Sequence, residues 1–317
     1  MKSQFLSLLL VVGLVSNCFS QDNDVPLKKK NVSDTILMQN RTLLVPPPFD
    51  AQKVLLSLFP GKYYNLSDAD YKNKLINWEC KNCKRVLYPD VNEDAAAAFP
   101  FAGGVATRVI NVMDFKDSKG VPYKMMSFNH SAYDEEGVQT SRFTGGLLGL
   151  AKFTLTEKGW KLVFFQPAIA AYGAFSSCPS PKPVLIGEDQ YAFMIKHSNG
   201  GGGGPFDGNL YLIGGANGKY QELMAAYGIE RTRMAEQDGL CAWDAEYEVP
   251  VSGKKFFRDI VITVKGDYKR TDKEGMPDEI KKLVKAGKSG NFTLVKRYVY
   301  KSGKGYEVEK PVKVTLN

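Results

Sequence analysis

The sequence predicts a mainly β protein, an antiparallel hairpin meander of barrel-like or sandwich-like form, with a short N-terminal helical segment and one helix near the C-terminus. Three observations carry that expectation. Helical spacing of apolar residues is confined to a stretch before Phe99 and another around Ile280, period-two alternation fills most of the chain between and beyond them, and turn residues punctuate that alternation regularly. A small β-propeller is the alternative. Phe101-Ala102-Gly103-Gly104, Phe143-Thr144-Gly145-Gly146 and Leu185-Ile186-Gly187 recur every 42 residues, close to the roughly 40–45 residues of one propeller blade.

The first twenty residues read as a signal peptide: Lys2 gives a positive start, Phe5 to Val15 form an apolar run, and small or polar residues follow at Ser16, Asn17 and Ser20. The run is shorter than the roughly 20 residues a membrane helix needs, and no later stretch reaches that length, so no transmembrane segment is expected. Cleavage after Ser20 would deliver an exported, periplasmic or extracellular protein. A competing reading makes Cys18 the acylated residue of an outer-membrane lipoprotein, because Val15 and Ser16 resemble the start of a lipobox.

Residues 21–48 read as an extended linker, with Lys28 to Lys30 followed by Pro46-Pro47-Pro48. Residues 49–100 read as a helical segment packed on the β domain. Asp50 caps a first helix with Val54, Leu55 and Phe59 on one face and Pro60-Gly61 at its end. Ser67, with Asp70 three residues on, starts a second that buries Tyr71, Leu75 and Ile76. A third runs through Ala95 to Ala98.

Residues 101–317 form the β domain. Arg108 to Phe115 pairs with Tyr123 to Phe128, Leu150 to Leu155 with Trp160 to Phe165, and Leu210 to Ile213 with Tyr220 to Met224. Glu246 to Val251 pairs with Phe256 to Val264, and Leu294 to Tyr300 with Tyr306 to Val308. Pro277 to Ala286 interrupts them with one helix striped by Ile280, Leu283 and Val284.

At 317 residues and 44% hydrophobic content, the chain is long enough to bury a substantial core. Its charge is uneven. Residues 251–317 hold 17 Lys and Arg against 8 Asp and Glu, so the basic character belongs to the C-terminal fifth. Lys281, Lys282 and Lys285 face outward on the predicted helix and are candidates for an anionic partner, a glycan or another envelope component.

Four cysteines follow the leader, and export favours disulfides: Cys80 with Cys83 and Cys178 with Cys241 is the expected pairing among three connectivities. The Cys80/Cys83 spacing also fits a thiol-redox pair or half a zinc site. The redox motif normally sits at a strand-to-helix junction, and only His130 and His197 are available to complete a metal centre. No metal and no cofactor are expected.

The glycine run Gly200 to Gly204 lacks the Lys and Ser or Thr that hold nucleotide phosphate, so it reads as a hairpin loop and no nucleotide is expected. Nucleophilic hydrolysis is poorly supported by two histidines without a Gly-x-Ser-x-Gly elbow. A glycosidase-like envelope hydrolase with paired carboxylates remains the rival reading. Aromatic residues recur along the β segment, and Trp160, Tyr191 and Trp243 are the candidates for a shared, exposed, sugar-stacking face. The sequence therefore points to an exported, non-enzymatic binding or cell-envelope protein.

Overall fold

The computed structural model describes residues 26–67, 72–92, 97–139, 142–251, 253–284 and 287–317. The predicted leader and Cys18 lie outside these residues. The chain is mostly β, with 53% of residues in strands and 7% helical.

The first half contributes β1 (Lys30–Asn31), β2 (Leu44–Val45), α1 (Ala51–Leu58), β3 (Lys62–Ser67), β4 (Lys72–Glu79), β5 (Val86–Tyr88), β6 (Ala97–Phe99), β7 (Val105–Lys116), β8 (Pro122–Ala132), β9 (Gly146–Thr156), β10 (Gly159–Gln166) and β11 (Ala171–Tyr172). The second half contributes β12 (Lys182–Gly187), β13 (Gln190–Gly200), β14 (Phe206–Ala216), β15 (Lys219–Thr232), β16 (Ala242–Glu248), β17 (Ile260–Tyr268), α2 (Asp278–Lys281), β18 (Gly290–Lys301), β19 (Gly305–Val308) and β20 (Lys313–Leu316). Each half builds one nine-stranded sheet. The first runs β1-β4-β7-β8-β9-β10-β2, with β3 on β4 and β11 on β9, and the second runs β12 through β19 in sequence order, with β20 on β18.

All five predicted hairpins are present, as β7/β8, β9/β10, β14/β15, β16/β17 and β18/β19. The propeller alternative is not. Strands join two continuous curled sheets instead of four-stranded blades, because each hairpin pairs with the next one along the meander.

Three apolar layers hold the sheets. In the first, Val54, Leu55 and Leu58 of α1 and the adjoining Phe59 fill the hollow of the first sheet against Trp78, Phe128, Phe153 and Phe165. In the second, Ile280 of α2 packs with Leu212, Ile262, Val264 and Phe292 in the hollow of the second sheet. The third lies between the sheets and joins Phe115, Tyr123, Met125, Leu148 and Leu150 to Phe193, Ile195, Tyr211 and Ile213. This arrangement explains the uninterrupted apolar runs of β13 and β14. Ala192 and Met194 face the second hollow while Phe193 and Ile195 face the first sheet, and Leu210 and Leu212 alternate likewise with Tyr211 and Ile213. A strand buried on both faces needs no polar residue at alternate positions.

α1 forms as expected, because the Asp50 carboxylate accepts from Gln52 N at 3.0 Å and Lys53 N at 3.1 Å and satisfies two backbone donors of the first turn. The helix expected from Ser67 gives way over its described part to the end of β3 and to β4, while Asp70 and Tyr71 lie outside the described residues. Leu75 and Ile76 are adjacent and both fully buried, as a strand between β3 and β7 requires, so pairing overrides the capping signal. The third predicted helix gives way to β6 over its described part, and the C-terminal helix is a single turn. The expected tether differs too: residues 30–45 dock on the first sheet through β1 and β2 and bury Val32, Ile36 and Val45.

Candidate functional site

The candidate site lies where the two sheets meet at one end of the shared layer. β8 places Tyr123 there, β9 Lys152, β10 Val163 and Phe164, β13 Gln190 and Tyr191, β14 Gly215, and β15 Tyr220. Two cavities, of about 130 and 420 Å³, share Lys152, Gly215 and Tyr220, so they read as one cleft.

Its walls are aromatic. Phe115 lies 4.4 Å from Tyr191 and stacks on Tyr123 at 5.1 Å, while Phe164 meets Tyr220 edge-on at 5.3 Å. Gly215 keeps the cleft open, since a Cβ there would touch only the Tyr220 ring, at 4.0 Å.

Lys152 supplies the charge. Its Nζ sits 4.1 Å from the Tyr123 ring centroid, and no carboxylate of the described residues comes within 4.0 Å of it. Burial pulls this ammonium below its ordinary range, and Asp117 and Asp189 restore the charged form only in part. Burial likewise raises the Tyr123 phenol, and pushes Tyr220 up to about 12. The Tyr123 and Tyr220 phenols therefore stay protonated at neutral pH, and the cleft presents Lys152 among neutral rings and hydroxyls, with Lys219 and Asp189 also in its lining.

Two links fix its shape. Asp189, in the β12–β13 turn, accepts from Ser118 N at 2.8 Å and Ser118 Oγ at 2.5 Å, tying that turn to the β7–β8 turn. Gln166 of β10 donates to Tyr220 O and accepts from Tyr220 N, both at 2.8 Å, as a strand backbone would.

Of the three predicted aromatics, only Tyr191 is here. Trp160 is 9% exposed in the first hollow, 5.9 Å from Phe49, and Trp243 is 7% exposed in the second, its Nε1 donating to Gly228 O at 3.0 Å. They share no exposed face because each tryptophan fills a different core. Lys281 is held by Glu274 at 3.4 Å, Lys282 is exposed, and Lys285 lies outside the described residues.

Cys80 and Cys83 are disulfide-bonded, but Cys178 and Cys241 are not. Cys178 lies in the layer between the sheets and Cys241 in the second hollow, so the second sheet separates them. Burial raises both thiols, which keeps them protonated. His130 is fully buried. Its Nδ1 accepts from Thr107 Oγ1 at 2.7 Å, Trp78 Nε1 donates to that same oxygen at 2.7 Å, and His130 Nε2 donates to Pro167 O at 3.0 Å. Burial lowers its pKa to about 3, so it is neutral and structural.

The carboxylates do not converge on the cleft. Asp207 and Asp272 share Arg231, at 3.5 and 3.8 Å, and Asp189 is the one acid in the cleft wall. A larger hollow of about 550 Å³ runs along β2 and β10, lined by Leu43, Leu44 and exposed polar residues including Lys158 and Lys161. It offers no half-buried charge. No family model, curated protein or solved structure matches the chain.

Proposed function

We propose that this is an exported, non-enzymatic binding protein of the cell envelope, and that the inter-sheet cleft takes an anionic ligand with a flat ring, of which a uronic-acid sugar is the best-fitting class. The observation that carries the reading is Lys152, an ammonium half-buried between aromatic walls, with no carboxylate of the described residues within 4.0 Å and only Asp117 and Asp189 acting on it from farther off. Burying a cation without a counter-ion is costly, and an anionic ligand group offsets that cost. Tyr191 and Tyr220 supply ring faces of the kind that stack on sugars. The leader-like start, with cleavage after Ser20 or acylation at Cys18, supports delivery to the periplasm, the exterior or the outer membrane.

Calorimetric titration with an oligogalacturonide, against the uncharged galactose oligomer, tests the reading. Lys152→Met keeps the aliphatic stem and removes the charge, and weakens the charged sugar about 30-fold while barely changing the neutral one. Gly215→Leu fills the cleft and weakens both. Equal affinity of the native protein and both variants for the charged sugar rejects the cleft as the site.

A further inference from the structure

We infer a second interaction surface, a membrane-facing basic edge built by the N-terminal lysines and the disulfide-clamped loop. The sequence separates Lys28, Lys29 and Lys30 from Lys81, Lys84 and Arg85 by about fifty residues, and the fold brings the first group to the start of the loop that leads into the second. β1 pairs in parallel with the end of β4, Lys30 opposite Trp78 and Asn31 opposite Glu79. Asn31 Oδ1 accepts from Lys81 N at 3.2 Å and Val32 N donates to Glu79 O at 2.8 Å, so the residues that follow the lysine run meet the start of the loop that Cys80–Cys83 closes, and Lys29 and Lys81 come to share Glu79. Cys80 packs on the first core and fixes the base of that loop.

Among the described residues, Glu79 alone comes within 4.0 Å of any of these six cations, at 3.9 Å from Lys29 and 3.5 Å from Lys81. Lys28, Lys30, Lys84 and Arg85 have no such partner. The Asp134–Glu136 turn adjoins the start of the run, its Glu135 carbonyl accepting from Leu27 N. Glu93 and Asp94 fall outside the described residues.

Directly after these cations stand Val86, 47% exposed, and Leu87, 67% exposed, on the two-stranded β5–β6 ribbon. Cations beside protruding aliphatic side chains fit an anionic lipid surface. The charges meet phosphate headgroups and Leu87, the more exposed of the two, enters the boundary with the acyl chains. A polyanionic glycan would use the cations and leave Leu87 without a partner.

Vesicle flotation tests the inference with the secreted protein carrying Cys18→Ser, so that no acyl chain contributes. Vesicles of phosphatidylcholine with about one-third phosphatidylglycerol should carry the protein upward, and pure phosphatidylcholine vesicles should not. Lys84→Ser/Arg85→Ser weakens partition about 25-fold, at roughly fivefold per cation, and Leu87→Ser weakens it about fivefold at unchanged charge. Both substitutions are at exposed positions, and Lys152→Met, at the cleft, leaves flotation unaltered. Retention on heparin without flotation, or flotation indifferent to the Lys84/Arg85 pair or to Leu87, overturns the inference.

Discussion

The two halves use one plan and differ in what fills it. Each is a nine-stranded sheet curled over a helix, yet the first hollow holds an eight-residue, side-chain-capped helix, crowded aromatic rings and a buried polar chain through Trp78, Thr107 and His130. The second is closed over a single helical turn with Ile280 as its inward residue. The first core is therefore specified by rings crowded around one centre and a directed hydrogen-bond chain, and the second by aliphatic residues interspersed with rings such as Trp243, Phe292 and Tyr298. The halves should fail differently.

The largest contrast comes from truncating the central residue of each hollow. Phe59, fully buried, meets Trp78 at 5.6 Å, Phe128 at 5.3 Å and His130 at 4.9 Å, so Phe59→Ala should cost about 4 kcal/mol. Ile280→Ala should cost about 2 to 3 kcal/mol, because it removes fewer atoms from beside a short helix. Urea unfolding followed by tyrosine and tryptophan fluorescence measures both. A larger loss at Ile280 than at Phe59 would reverse the ranking of the halves.

Acid should separate the halves next. The folded His130 takes a proton only near pH 3, whereas an unfolded imidazole does so near its ordinary 6.5. The unfolded state thus binds more protons throughout that window, and stability falls as pH drops through it, by roughly 1 kcal/mol per pH unit from this group. His130→Gln should flatten that limb of the stability curve while lowering stability at neutral pH. An unchanged limb in the variant would move the acid sensitivity elsewhere.

The hairpins were legible because side chains on a strand alternate, and the turns at Asp117 to Gly120 and Ser302-Gly303 marked where the chain reverses. α1 was legible from Asp50 and Pro60. Local pattern misled at Leu75 and Ile76, where burial on both sides of β4 erased the alternation and an acidic stretch imitated a helix start. The cleft was harder still, since Tyr123, Lys152, Tyr191 and Tyr220 come from four strands of two sheets. One trace of it was present: Lys152 is the only charge in the run from Gly146 to Phe153, and a cation amid such apolar residues calls for a reason. The tryptophans gave no such trace, because sequence spacing does not tell a core ring from a surface one.

The smallest predicted effect concerns charge. The C-terminal fifth carries most of the excess Lys and Arg, yet the second half pairs many of them: Lys254 and Arg297 with Asp259, Lys269 with Asp267, Lys281 with Glu274, and Lys296 with Glu279. The basic edge of the first half shares Glu79 alone within ion-pair distance among the described residues. Local neutralisation, more than net charge, decides which region an anionic surface senses, because screening limits the reach of exposed charges to about 10 Å. Neutralising Lys281, Lys282 and Lys285 together should therefore shift elution from an anionic resin only slightly at about 0.1 M salt. The Lys84/Arg85 pair, though one charge fewer, should shift it more, and the opposite order would show that local pairing does not decide which region is sensed.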